Sequence, residues 1–421
     1  MNKARFIAAK AVAKVTNEGA YSNLLLNSML KETNLSKEDK ALCTTIFYGT
    51  LDRMVTIDYY LKSLIKTPLK KVKSLTLAVL RTAVFQIKYL DKIPVSAAVN
   101  EAVKIIKASK ESFNASFVNG VLRSLLRSEI LLPEDDTAES ISVRYSCPPW
   151  ITEILLKGYG AQFTKEFLED ALKTPPVFIR VNTKKTDKQK LAELLEKKNI
   201  QATFTDCDDA LLAEGLVAPE ETDEYKQGLF FVQDISCQKA VGMLGIKDDS
   251  LVLDMCAAPG GKSFLASLLA KKGRVVSCDL HEHRVGLIEK GADRLAIDNI
   301  SAKCLDATVF DSTLGLFDRI ICDVPCSGLG VIRRKPDIKY KPQDSFGELI
   351  KIQRSILYNA DKYLKQGGKI LYSTCTLNPR ENRENVDDFL KNHKNYTLEA
   401  EKTFSSKEGG DGFYSAVLLK M

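Results

Sequence analysis

Two hydrophobic textures divide the chain. Over residues 1–130 apolar positions recur at helical spacing, and no internal repeat is visible. "MNKARFIAAKAVAKV" predicts a helix; Lys10 and Lys14 break its apolar run, so it reads as part of the mature fold and not as a targeting signal. "SKEDKALCTTIFYGTLDRMVTIDYYLKSLI" opens with Ser36 three residues before Asp39, close to a capping box, and then keeps helical spacing. "VKSLTLAVLRTAVFQIKYL" is a strongly apolar helix that stops before Ile93-Pro94. "VSAAVNEAVKIIKAS" and "FNASFVNGVLRSLLRS" complete a bundle of small helices. Acids and proline interrupt the pattern in "EILLPEDDTAESI", which places a linker near 129–140. From 141 to 235 the texture is mixed, with "VFIRVN" as a strand and "DKQKLAELLEKKNI" as a helix.

From about 236 strands and helices alternate regularly. Strands are expected at 251–255, 274–279, 301–307, 318–324 and 369–375, and amphipathic helices at 263–271, 283–296, roughly 344–364 and 380–391. This alternation predicts a mostly parallel sheet with helices on both faces. The expected domains are therefore an all-α bundle (1–130), a small α/β domain (141–235) and a larger α/β domain (236–421). Ligands of such sheets bind outside the carboxyl ends of the strands, and nearly every residue with chemistry to offer lies there.

Composition narrows the class. At 421 residues, 45% hydrophobic and 27% charged, the chain supports two or three cores, and it holds no apolar run of 18 residues that would cross a membrane. Ten cysteines are scattered without C-x2-C pairs, which implies free thiols in a reducing cytoplasm. Three histidines, with His281 and His283 among charged residues, give no ligand spacing for zinc, and no metal is expected. Charge is uneven. Residues 1–130 carry 21 Lys and Arg against 10 acids, a net of +11 in a chain that nets +7. A basic first third suits a nucleic acid, although a solvated surface face reads the same way. No helix stands out as a dimerisation surface, so a monomer is expected.

"DMCAAPGGKS" follows the first strand of the larger domain. Its glycines permit a tight turn and close approach of a ligand at a helix start. A phosphate-binding P-loop is the rival reading, but its first glycine would fall on Cys256, and Pro259 removes an amide from the cradle. Acids end the next three strands: Asp279, placed to accept ribose hydroxyls, Asp306, placed for an adenine amino group, and Asp323. Singly each reads equally well as a turn or cap aspartate. Together with the glycine turn they fit S-adenosylmethionine, whose positive sulfonium favours carboxylates and needs no phosphate anchor.

Cys278 and Cys322 sit inside apolar strands and read as small hydrophobes. Cys326 and Cys375 each follow a strand amid Pro, Gly, Ser and Thr, where a thiol can reach a cleft. Thiol attack beside S-adenosylmethionine is the chemistry of methylation at a pyrimidine C5: a thiolate adds at C6, C5 takes the methyl group, a base removes the C5 proton, and the thiol is expelled. Asp323 is the candidate acid at N3. Either thiol alone would satisfy this scheme. Arg333, Arg334 and Lys335, just past Cys326, are expected to meet phosphates flanking a target base.

"DMCAAPGGK", "DVPCSGLGVIRRKPD" and "YSTCTLNPRENRENV" resemble the cofactor, catalytic and nucleophile motifs of the bacterial RNA cytosine-C5 methyltransferases. "IPVSAAVNEAVKIIK" with "ASFVNGVLR" resembles the NusB-like RNA-binding domain joined to some of them, and "RYSCPPWITE" through "VQDISCQ" their small RRM-like α/β domain. The resemblance spans nearly the whole chain. It implies a Rossmann-like core that binds S-adenosylmethionine through Cys256, Ala257, Ala258, Pro259, Gly260, Gly261 and Lys262, with Asp279, Asp306 and Asp323 completing the pocket. It implies Cys375 as nucleophile, Cys326 as the thiol that assists adduct release, and 16S rRNA as substrate at a cytosine 967-type site. Two positions depart from the family pattern: Arg383 stands where a second acid is common, and Tyr340 where tryptophan is frequent. A tRNA cytosine-C5 methyltransferase, or a non-catalytic RNA-binding assembly factor, are the alternatives; the paired thiols and strand-end acids weigh against the second.

Overall fold

The structure is a computed structural model that describes residues 2–18, 22–341 and 346–421. Met1, residues 19–21 and positions 344–345, all expected to be helical, lie outside these. The chain forms two compact units, Met1–Lys173 with Ile332–Pro342, and Thr174–Val331 with Gln343–Met421.

The first unit is helical: α1 (Lys3–Glu18), α2 (Ser22–Lys31), α3 (Lys37–Asp52), α4 (Met54–Leu64), α5 (Ser74–Tyr89), α6 (Val95–Lys107), α7 (Ala115–Arg127), α8 (Ala138–Tyr145) and α9 (Pro149–Asp170). Ser36 caps α3 by accepting from the Asp39 amide at 3.1 Å. The long helix expected from Ser36 breaks at Arg53 (φ −101°, ψ 9°) into α3 and α4. One face of α1 (Ala4, Ala8, Ala11, Val12, Val15) is buried with Cys43, Ile46, Phe47 and Leu51 of α3. The acidic stretch after α7 is a loop, yet α8 and α9 beyond it still belong to this unit, where a mixed domain was expected from 141. Ile151, Leu155 and Phe167 of α9 are buried, and Gly160 (φ 80°, ψ 174°) kinks the helix midway.

The segment after Cys326 also belongs to the first unit. Arg333 pairs with Asp170 at 2.6 Å with 7% of its side chain exposed. The Lys339 ammonium is buried and donates to the carbonyls of Asp52 (3.1 Å) and Ser146 (3.2 Å). Burial drives its proton affinity down against the pull of Asp52, whose carboxyl is itself raised to about 6 by burial. Tyr340 donates to the Leu51 carbonyl at 2.5 Å.

The second unit holds two sheets. The smaller, β2-β3-β1-β4, is antiparallel and comprises β1 (Phe178–Val181), β2 (Gln201–Phe204), β3 (Ala210–Glu214) and β4 (Phe230–Val232), with α10 (Lys188–Glu196) and α11 (Asp223–Lys226). After α12 (Ile235–Met243) come β5 (Leu251–Asp254), α13 (Gly261–Leu269), β6 (Arg274–Asp279), α14 (Glu282–Leu295), β7 (Ile300–Cys304), β8 (Phe317–Asp323), α15 (Phe346–Ala360), β9 (Leu364–Thr374), α16 (Arg383–Asn392), β10 (Tyr396–Phe404) and β11 (Phe413–Lys420). The larger sheet has the order β10-β11-β9-β8-β5-β6-β7. Strands β5 to β9 are parallel, as expected; the antiparallel hairpin β10–β11 extends the sheet beyond β9 and was not anticipated. Strand order reverses between β5 and β8, the crevice where such folds take ligands.

Candidate active site

The glycine turn joins β5 to α13. Gly260 sits at φ +112°, and a Cβ there would lie 2.4 Å from the Phe264 ring, so both backbone and space require glycine. The Ala258 amide donates to Asp279 Oδ2 at 3.2 Å, and Arg284 of α14 donates to the Ala258 carbonyl at 2.8 Å while lying 3.3 Å from Asp279 Oδ1. Asp279 is thus buried and braces the turn, with Arg284 as a partner that sequence reasoning missed.

A cleft of about 170 Å³ opens at the β5–β8 crevice, lined by Gln233, Cys237, Asp254, Cys256, Lys262 and Asp323 together with Ala257, Ala258, Pro259 and Gly261. Asp254 is fully buried; its Oδ2 accepts from Ser263 Oγ at 2.7 Å, and Oδ1 has no partner. Burial raises its carboxyl to about 7, against the Ser263 hydrogen bond and the Lys262 charge. Gln233, at the end of β4, is buried with neither side-chain polar atom partnered. Lys262 Nζ donates to Asp323 Oδ2 at 2.6 Å and lies 3.7 Å from Cys237 Sγ. Burial opposes its charge, but the Asp323 carboxylate outweighs it and pushes the lysine above its ordinary range. Asp323 Oδ1 accepts from Ser373 Oγ at 2.9 Å, so both of its oxygens are engaged.

The two thiols meet. Cys326, in the loop after β8, and Cys375, directly after β9, place their sulfurs 3.2 Å apart, and neither is in a disulfide. The Cys375 sulfur and then burial push the Cys326 thiol well above its ordinary range, so Cys326 keeps its proton in the resting site. The Gly330 amide donates to the Cys375 carbonyl at 3.0 Å, and the Gly412 amide to the Gly330 carbonyl at 3.0 Å. A Cβ on Gly330 would lie 1.9 Å from the Gly412 oxygen, so glycine alone lets these strands of chain close on one another. Behind the thiols, Glu381, Gln353 and Asn385 form a fully buried polar cluster. Nothing in their residue types marks them as interior; only the tail of "LNPRENRENV" as a motif pointed near them.

The remaining candidates are dispersed. Asp306 lies beyond β7 and is exposed; its Oδ1 accepts from the amide (2.8 Å) and hydroxyl (2.7 Å) of Thr308, and this turn is why the strand ends at Cys304 and not at 307. Arg333 has its guanidinium paired with Asp170 in the first unit. Lys335 is exposed and Arg334 half-buried. Arg383, one of the two departures, pairs with Asp387 and Glu401 on the surface at 2.8 and 2.6 Å.

Family profiles match three stretches of the chain: the NusB family over residues 2–127, the RsmF/B-like ferredoxin-like domain over 147–218, and the 16S rRNA methyltransferase RsmB/F over 241–418. The probable ribosomal RNA small subunit methyltransferase B of Bacillus subtilis is 40% identical over 416 residues, covering 96% of this chain and 92% of its own. The ribosomal RNA small subunit methyltransferase B of Proteus mirabilis is 31% identical, with coverage of 99% and 98%. Among solved structures, PH0851 shares the fold over 99% of this chain and 98% of its own, with a TM-score of 0.80 at 22% identity. NSun6 from Pyrococcus horikoshii with SFG covers 65% of this chain and 98% of its own, with a TM-score of 0.59 at 21% identity. Chain-long identity to these relatives, with the three profiles in one order, decides the assignment: the chain belongs to the ribosomal RNA small subunit methyltransferase B family.

Proposed function

We propose that this chain methylates C5 of a cytosine in 16S rRNA, at a cytosine 967-type site, using S-adenosylmethionine and a covalent Cys375–C6 adduct. The supporting observation is the thiol pair, 3.2 Å apart on the loops after β8 and β9, with Asp323 at the end of β8 lining the cleft. The names of the family's members supply the rRNA substrate class.

The cleft residues fit the cofactor. Asp254 Oδ1 and the Gln233 amide are buried polar atoms without partners, and together they match an amino-acid zwitterion, one accepting from its ammonium and the other donating to its carboxylate. Asp279 and Asp306 are assigned the ribose and adenine, Asp279 exchanging Arg284 for the hydroxyls. SFG, held by the neighbouring Pyrococcus horikoshii structure, is an analogue of this cofactor. When bound, S-adenosylmethionine supplies an electrophilic methyl group on a positive sulfonium.

The chain's own residues do the rest. Cys375 as thiolate adds to C6, and the C5–C6 electron pair is drawn toward N3, which takes a proton delivered through Asp323 and gives it back when C5 attacks the methyl group. Ser373, whose hydroxyl can turn away, yields its place on Asp323, while Lys262 stays paired. C5 takes the methyl group, a base removes the C5 proton, and its electrons re-form the double bond and expel the Cys375 sulfur. Cys326, which holds a proton against that sulfur, protonates the departing thiolate. The test is bisulfite sequencing of RNA from cells lacking this protein. Loss of one 5-methylcytosine from 16S rRNA, restored by the wild-type gene and not by Cys375→Ala, is expected. Unaltered 16S rRNA, or loss confined to tRNA, would sink the assignment.

A further inference from the structure

Glu381 lies shortly after Cys375, fully buried, and both of its oxygens only accept. Oε2 receives the Ser327 amide (2.8 Å) and Gln353 Nε2 (2.9 Å); Oε1 receives Ser327 Oγ (2.5 Å) and Asn378 Nδ2 (2.9 Å). Ser327 adjoins Cys326, and Gln353 Nε2 also donates to the Pro325 carbonyl at 2.9 Å, so residues on both sides of Cys326 hang on this carboxylate. Asn378 belongs to the loop of Cys375, and Ser327 Oγ additionally lies 2.8 Å from Thr376 Oγ1 in that loop. Asn385 Nδ2 donates to Gln353 Oε1 at 2.9 Å, which fixes the direction of the Gln353 amide. Four donors converging on one side chain demand an acceptor-only group; an amide would turn its own N–H toward two of them.

We propose that Glu381 is a positioning residue that ties the Cys326 loop to the Cys375 loop and thereby sets the contact between the two thiols. Through that contact it governs adduct release, a consequence that rests on the function proposed above. The positional claim stands apart from it, because two sulfurs held in contact report their own geometry. Closing from 3.2 Å to the about 2.05 Å of a disulfide needs little movement if the loops are held together, and a search of loop conformations if they are not.

The probe is diamide, an azo oxidant that takes two electrons and two protons from a thiol pair, leaving a disulfide and a hydrazine. In the full-length protein, Glu381→Gln slows formation of the Cys326–Cys375 disulfide, quantified by peptide mass spectrometry, at least about tenfold, while affinity for S-adenosylhomocysteine stays within about twofold of wild type. Glu381→Asp, which keeps the carboxylate, recovers part of the rate. An unchanged or faster rate in Glu381→Gln overturns the proposal. Should that variant fail to fold, Ser327→Ala carries the test: a rate about threefold slower supports the tether, and a wild-type rate refutes it. Slowed trapping in a protein that does not methylate RNA would keep the role of Glu381 and sink the proposed reaction; methylation with trapping unaffected would do the reverse.

Discussion

Asp254 offers the sharpest physical test of the cleft. Its folded-state value of about 7 stands above the ordinary 3.8 because the carboxyl is wholly buried. The folded protein therefore binds this proton more tightly than the unfolded chain does. The resulting stability is fully present below 3.8 and is lost as pH rises toward about 7. At 1.36 kcal/mol per pH unit the whole loss is roughly 4 kcal/mol, of which roughly 2–3 kcal/mol falls between pH 5 and pH 8. Asp254→Asn keeps an acceptor for Ser263 Oγ and removes the titration. Native-state hydrogen exchange on peptides spanning 251–255, corrected for intrinsic rates at each pH, measures the difference. The variant is expected to gain roughly 2–3 kcal/mol on wild type between pH 5 and pH 8. Parallel pH profiles for the two proteins would refute the reasoning. A ligand ammonium at Oδ1 should also displace the proton, so S-adenosylhomocysteine binding near pH 6 should release protons from wild type and not from the variant, as read by calorimetry in buffers of different ionisation enthalpy.

Three further outcomes are expected. Cys375→Ala loses methylation with cofactor-analogue affinity nearly intact, whereas Cys326→Ala accumulates a covalent protein–RNA adduct on denaturing gels; no adduct would count against its release role. Gly260→Ala forces a side chain into the left-handed region and against Phe264, costing about 2–4 kcal/mol of stability in denaturant titrations that follow the second unit. Lys335→Ala lowers the salt slope of RNA binding by about 0.7–0.9, while Arg333→Ala leaves the slope alone and lowers the stability of the first unit by about 1–3 kcal/mol, both checked by filter binding across salt and by thermal melts.

The parallel strands and their terminal residues were legible because a buried strand followed by a glycine or aspartate turn leaves a strong apolar signal; Asp254, Asp279 and Asp323 each close a strand. The β10–β11 hairpin was not, because β10 exposes charged positions along one face and has no continuous apolar run. Glu381, Gln353 and Asn385 are residue types usually found on surfaces, and what makes them interior is the set of donors and acceptors that other loops bring to them. The partners of "RRKPDIKY" were illegible for the same reason. Its charges suggested a solvated or phosphate-facing loop, yet Lys339 and Arg333 found partners distant in sequence.

That last segment has a consequence for how the protein is made. Helices α1–α9 leave the ribosome early, but the unit they form lacks Ile332–Pro342 until most of the second unit has been synthesised. At the usual 5–20 residues per second, roughly 10–40 s separate the appearance of Ser146, and roughly 15–60 s that of Asp52, from that of the lysine they hold. During that interval the nascent bundle carries an unfilled slot for Lys339 and Tyr340. An N-terminal truncation of the bundle creates the complementary defect, a lysine and a tyrosine without the carbonyls that satisfy them. The bundle and the catalytic unit are thus neither made in sequence nor separable by one cut, and exchanging either for a homologue's requires carrying the 332–342 segment with the bundle.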